Sequence, residues 1–431
     1  MFDESPLSGW NSWQFSSRIS TVSMKRALTI LAVASLAVAA RVSAQSTIAR
    51  PQRPYRPGIE VLLADSMHLV QGKRVGLITN HSGVLRDGRS TIDALARAPG
   101  VRLTALFAPE HGIRGQAHAG EKIATTVDSA TGVTVYSLYG ETRVPTEEML
   151  EDVDVLLYDI QDLGARTYTF PWTMALSANA AKRPFIVLDR PNPIRADRVE
   201  GGVLEPAFRS FVGQYPVAMR YGMTPGELLL YLAGTGQVSA DVKVVPMDGY
   251  RRDMWWSDTG WPWANPSPNI RSPDAALLYT GTVLFEGTNV SEGRGTPMPF
   301  QLIGASWLGD AGQIARELNA KRLAGVVFDS TLITMEKGFK FPEQRIPMIV
   351  VTVSDRDIVR PHVVGLHLLR AIYARHPRDF GWRNTAIDRL AGSDRLRAAV
   401  EREGGIEALI PVLDRESAEF AKRIAPYLLY R

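Results

Sequence analysis

A chain of 431 residues, 45% hydrophobic and 22% charged, has apolar matter for a sizeable core and more length than one small domain needs. Its formal net charge of +4 carries no basic run, so no nucleic-acid footprint is present. With no cysteine, the chain cannot use disulfides, and a lipid anchor on cysteine is excluded.

In chain order, Lys25 and Arg26 precede the uncharged run ALTILAVASLAVAA (27–40), and VSAQ (42–45) places small residues at a signal-peptidase position after Ala44. The run is shorter than the roughly 20 apolar residues of a membrane span. Residues 1–44 therefore read as an upstream extension and signal peptide (about 24–44). A periplasmic or secreted protein without a stable membrane anchor is expected.

Short apolar runs then alternate with helical patterns. Strands are predicted at 74–79, 103–108, 133–138, 154–160 and 185–190, mostly continuous hydrophobic runs of the kind found in sheets covered on both faces. Helices are predicted at 90–98, 145–153, 172–181 and 224–234, the last with Pro225 near its start and Gly234 near its end. A further strand is predicted at 242–247. This alternation gives an α/β fold with a doubly wound, mostly parallel sheet. Residues 248–300, rich in Trp, Gly, Pro, Ser and Asn, read as long loops. Beyond them come a helix at 311–320, strands at 325–333 and 347–354, and helices at 357–375 and 393–428, a smaller C-terminal α+β domain. The expected division is 45–290 and 291–431.

In a parallel sheet, ligands bind beyond the carboxyl ends of the strands. There this sequence places Asn80 and His81, then Glu110, His111 and Arg114, then Asp162 and Arg166, then Asn192 and Arg195. Any one Asp or Asn in such a position has an ordinary reading as a turn or helix cap. Glu110 differs: it sits between Pro109 and His111-Gly112, with no helix evidently following. A second rich stretch, LFEGTNVSEGRGTPMPF (284–300), sets Glu286, Asn289, Glu292 and Arg294 among glycines that permit close approach to a ligand. Four tryptophans in residues 255–263 suit stacking on sugar rings, though Trp is also ordinary core material. No dinucleotide fingerprint, Walker loop or nucleophile elbow is present, and no cofactor is implied. His81, His111, His118 and Asp159 match no strong metal-ligand spacing, so no metal is assigned.

These segments have a counterpart. GKRVGLITNHSGV (72–84), LFAPEHGIRG (106–115), YDIQDLGARTYTF (158–170), LDRPNPI (188–194), RYGMTPGEL (220–228) and LFEGTNVSEGRGTP (284–297) resemble, in order, the exo-β-N-acetylmuramidases of the NamZ-like family. The likeness runs from about residue 58 to the C-terminus. It implies removal of terminal N-acetylmuramic acid from the non-reducing end of peptidoglycan fragments, in a cleft between a Rossmann-like larger domain and a smaller C-terminal domain. The alternatives are a non-catalytic cell-wall sugar-binding protein and a metal-dependent hydrolase or deacetylase.

Glycoside cleavage commonly needs two carboxyl groups. On this reading Glu110 is the acid, its proton held by burial and tuned by His111, and Glu286 or Glu292 is the second carboxylate. Retaining, inverting and substrate-assisted routes all remain open to the sequence. Arg114, Arg166 or Arg294 would grip the lactyl carboxylate of muramic acid. Asn80, His81, Asp162 and Asn289 would contact hydroxyl and acetamido groups.

Overall fold

The computed structural model describes residues 54–114 and 124–431. The expected signal peptide and His118 lie outside the described residues. Among the described residues, no helix is long and apolar enough to cross a membrane.

Among the described residues, the central sheet has seven strands. Parallel strands β1 (Arg74–Thr79), β2 (Arg102–Ala108), β4 (Thr134–Ser137), β5 (Val155–Asp159), β6 (Phe185–Leu188) and β9 (Val242–Val245) lie in the order β4-β2-β1-β5-β6-β9. The short β3 (Thr126–Val127) adds an antiparallel edge on β4. The chain runs outward from β1 to β4, then returns to the other side of β1 at β5. That reversal makes a topological switch point, as in doubly wound nucleotide-binding folds. β5 and β6 are buried at every position, which is why their sequences show no alternation.

A two-stranded ribbon, β7 (Glu200–Val203) with β8 (Ala218–Arg220), lies outside this sheet. The smaller C-terminal domain is built on an antiparallel sheet in the order β10-β12-β11, from β10 (Leu302–Gly304), β11 (Val326–Thr334) and β12 (Arg345–Val353). Here β11 alternates buried and exposed positions at its start, as a one-sided sheet requires.

Two helical readings change. The pattern at 145–153 forms only a short turn, Glu148–Leu150. Within the stretch read as loop, Pro273–Thr282 is a helix, capped by the Ser272 hydroxyl accepting from the Ala275 amide, with Pro273 in its first turn. Ala275–Thr282 is buried throughout, so it offers no one-sided apolar stripe to read. This helix crosses Pro361–Arg375 at paired glycines. A Cβ on Gly281 would meet the Pro361 carbonyl, and one on Gly365 would meet Gly281. Gly281→Ala should therefore cost about 1–3 kcal/mol through overpacking. A lower urea midpoint at unchanged m-value is the expected reading; an unchanged midpoint would show that the helices separate freely.

Candidate active site

β2 delivers Phe107 and Ala108 fully buried to the sheet edge, and Pro109 ends the strand. A tight turn follows, closed by the Gly112 amide donating to the Pro109 carbonyl at 3.0 Å. His111 occupies it in the left-handed region, with φ of 73°. A non-glycine residue there is strained by about 1 kcal/mol or more, and such strain gathers at functional sites. Packing holds it: His111 is buried edge-on to Phe170. The turn leaves Glu110 half-buried, with the Thr169 hydroxyl donating to its Oε2 at 2.7 Å. The Tyr139 phenol faces the same carboxylate; burial first, then the Glu110 charge, raises its proton affinity.

The opposite wall comes from the glycine-rich segment. Glu286 lies on the short helix Val283–Gly287, and the Arg294 guanidinium holds its Oε1 at 2.5 Å. Arg294 also stacks on Phe300 and lies 3.8 Å from Glu292. Glu292, only 4% exposed, is held by Lys340 at 2.9 Å. Lys340 also donates to the carbonyls of Phe285 (3.0 Å) and Val290 (2.7 Å). The result is an alternating row of basic and acidic groups, Lys340, Glu292, Arg294 and Glu286. Gly293 and Gly295 adopt positive φ, and the Ser291 and Gly304 backbones exchange hydrogen bonds, so the segment is pinned on β10. Burial is the largest influence on Glu286 and raises it to about 7. Arg294 and Lys340 pull it down, while Glu292 and Glu110 push it up.

Glu110, His111, Glu286 and Arg294 line one cavity of about 420 Å³, within the usual range for small-ligand pockets. Tyr168, Phe170, Tyr279 and Phe300 give it an aromatic wall, with edge-to-face contacts from one ring to the next. Tyr139, Arg143, Thr169 and Asn269 add polar groups. Sequence reasoning did not single out these polar side chains, nor Lys340. Lys340 arrives from the hairpin between β11 and β12, some fifty residues from its partner, and nothing local signals that meeting.

Glu292 lies behind the lining, beside the Glu286–Arg294 ion pair. The remaining candidate residues sit elsewhere among the described residues. Asn80 accepts from the Ser82 amide at 2.9 Å and from its hydroxyl at 2.5 Å, closing the turn after β1. The His81 ring donates to the Asn265 carbonyl at 2.7 Å, and burial keeps its pKa below the ordinary value. Arg114 pairs with Asp128 at 2.6 Å. Asp162 is buried, bound by the Tyr221 hydroxyl and the Gly164 amide; burial raises it to about 6. Arg166 is fully buried against backbone carbonyls of Val217, Leu390 and Ala391. Asn289 clips the Asp379–Gly381 segment through both amide ends.

Asp159 belongs to the core, paired with Arg190 at 2.5 Å and bound by Thr91. Trp256 and Trp261 line a separate cavity of about 240 Å³, with Ser82, Gln161 and Arg190 near the switch point. Among the described residues, no three His, Asp or Glu side chains gather as metal ligands would.

Comparison with known proteins agrees with this architecture. Family models described as exo-β-N-acetylmuramidase NamZ match in two parts, the N-terminal part at residues 75–274 and the C-terminal part at 277–430. The chain is 42% identical over 377 residues to the peptidoglycan β-N-acetylmuramidase NamZ of Bacillus subtilis (strain 168), covering 86% of this chain and 91% of that protein. It is similar to two crystal structures of DUF1343 family proteins from Bacteroides fragilis NCTC 9343. One has a TM-score of 0.81 at 36% identity, covering 88% of this chain and 100% of that one. The other has a TM-score of 0.69 at 29% identity, covering 88% and 99%. With both family models spanning nearly all the described residues and a relative this similar along most of its length, the chain belongs to the exo-β-N-acetylmuramidase NamZ family.

Proposed function

We propose that this chain is an exo-acting glycosidase that releases terminal N-acetylmuramic acid from the non-reducing end of peptidoglycan fragments, including disaccharides derived from muropeptides. The observation that carries the proposal is that Glu110 and Glu286, distant in sequence, face one cavity in a chain of this family. Export through the N-terminal signal, to the periplasm or outside the cell, would bring it to that substrate.

Glu286 retains a proton near neutrality, so it suits the general acid that protonates the glycosidic oxygen as the bond to the anomeric carbon breaks. Glu110, oriented by Thr169, is then the second carboxyl. It either attacks the anomeric carbon or activates a water there. This exchanges the expected roles: the physical basis for a retained proton lies at Glu286. Tyr168 and Tyr279 offer aromatic surface to the sugar, and Asn269 a hydrogen-bonding amide. Glu292 and Lys340 act through Arg294, fixing the second wall. The test is release of chromophore from a chromogenic N-acetylmuramic acid β-glycoside beside its N-acetylglucosamine counterpart. Turnover of the first supports the proposal, and turnover of neither refutes it.

A pH dependence follows. Activity should fall as pH rises through about 7, where Glu286 loses its proton. The same group contributes to stability in one direction: folding raises its pKa, so its contribution is full below the unfolded value and disappears as pH rises through about 7. Glu292→Gln removes a charge that raises Glu286 but keeps an acceptor for Lys340. The basic limb of the kcat/KM profile should move down by about half a unit. An unmoved limb would show that Glu286 does not set it.

A further inference from the structure

Two arginines line the cavity among the described residues, and they stand in different circumstances. Arg294 is committed to Glu286 and Glu292. Arg143, an exposed residue after β4, forms no ion pair with a described carboxylate; its guanidinium lies 3.8 Å from the Phe211 ring centroid and 5.0 Å from that of Tyr139. Stacking on aromatic rings and a hydrogen bond to the Tyr139 hydroxyl hold the guanidinium plane, and its remaining N–H groups are those that can reach a ligand. The guanidinium fork matches a carboxylate at two points. Phe211 and Val212 line the cavity beside it and supply apolar surface.

N-acetylmuramic acid differs from N-acetylglucosamine by its lactyl ether, which adds one carboxylate and one methyl group. We infer that Arg143 is the specificity-determining residue for the lactyl group: its guanidinium pairs with the carboxylate, while Phe211 and Val212 take the methyl. The inference rests on the proposed substrate at this site. It moves carboxylate recognition from Arg114, Arg166 and Arg294, each of which is engaged within the protein.

The test is calorimetric binding of N-acetylmuramic acid and of N-acetylglucosamine to the wild type, Arg143→Ala and Arg143→Lys. Arg143→Ala should weaken N-acetylmuramic acid about 10-fold or more and N-acetylglucosamine less than about 2-fold. Arg143→Lys, keeping a point charge without the fork, should fall between. The inference is overturned if Arg143→Ala binds N-acetylmuramic acid as the wild type does, if it loses both sugars equally, or if the wild type does not distinguish them. Hydrolysis of the chromogenic glycosides by the same proteins is read separately. Selective binding without turnover would refute the hydrolase proposal and leave Arg143 in its role.

Discussion

Glu110→Gln should lower kcat/KM on an N-acetylmuramic acid β-glycoside by about 10²–10⁴-fold, the range lost with a catalytic carboxyl. The substitution keeps the side chain's size and an acceptor oxygen for the Thr169 hydroxyl. It leaves the turn, the strained His111 and its packing on Phe170 in place. The melting temperature should therefore stay within a few degrees of the wild type. What disappears is the capacity to carry negative charge or a transferable proton at the anomeric centre. Glu286→Gln should cause a loss of similar size, because both carboxyls face one cavity. Should Glu110→Gln turn over at near wild-type rate, the pair would have to be sought elsewhere in the cavity.

The second large effect is on stability. Arg166→Met should destabilise the fold by about 3–5 kcal/mol, with kcat/KM of the folded enzyme changed only a few-fold. The Arg166 guanidinium is fully buried, and its nitrogens donate to Val217 (3.1 Å), Leu390 (3.0 Å) and Ala391 (2.8 Å) carbonyls. The last two end the helix Asn384–Ala391, where the helix dipole presents partial negative charge. Burial lowers the arginine to about 10, so it remains charged at neutral pH. Gly392, at a φ of 81°, lies so close that a Cβ would strike the guanidinium. Arg166 thus fastens the loop after β5 to the C-terminal helices. Methionine fills volume but leaves those carbonyls without donors. A melting temperature lower by about 4–6 °C is expected for a chain of this size. Lost turnover at an unchanged melting temperature would instead give Arg166 a part in substrate binding.

Arg166 also shows where sequence reasoning reaches its limit. Its position after β5 was legible, because a continuous apolar run marks a strand buried on both faces and the polar cluster follows it. Whether its side chain meets a ligand or a distant helix depends on residues more than two hundred positions away. Asn289 is a similar case, with its partners Asp379 and Gly381 some ninety positions away. Glu110 was legible because an acid set between proline and a His-Gly pair, with no helix to cap, has few structural reasons to be there. Glu286 was legible as a candidate through its glycine-rich setting. Lys340 and Arg143 were not, since a lysine on a hairpin and an arginine on an exposed loop resemble many solvated charges. The helix Pro273–Thr282 was missed because burial of every position from Ala275 to Thr282 erases the periodicity that identifies a helix.

The central claim is that Glu110 and Glu286 work on one sugar in one cavity. The most direct measurement is chromatography of the products formed from the disaccharide of N-acetylmuramic acid β-linked to N-acetylglucosamine, incubated with the wild type, Glu110→Gln and Glu286→Gln. The account expects both free sugars from the wild type and almost none from either variant, with all three proteins equally folded. Undiminished release by either folded variant would contradict it.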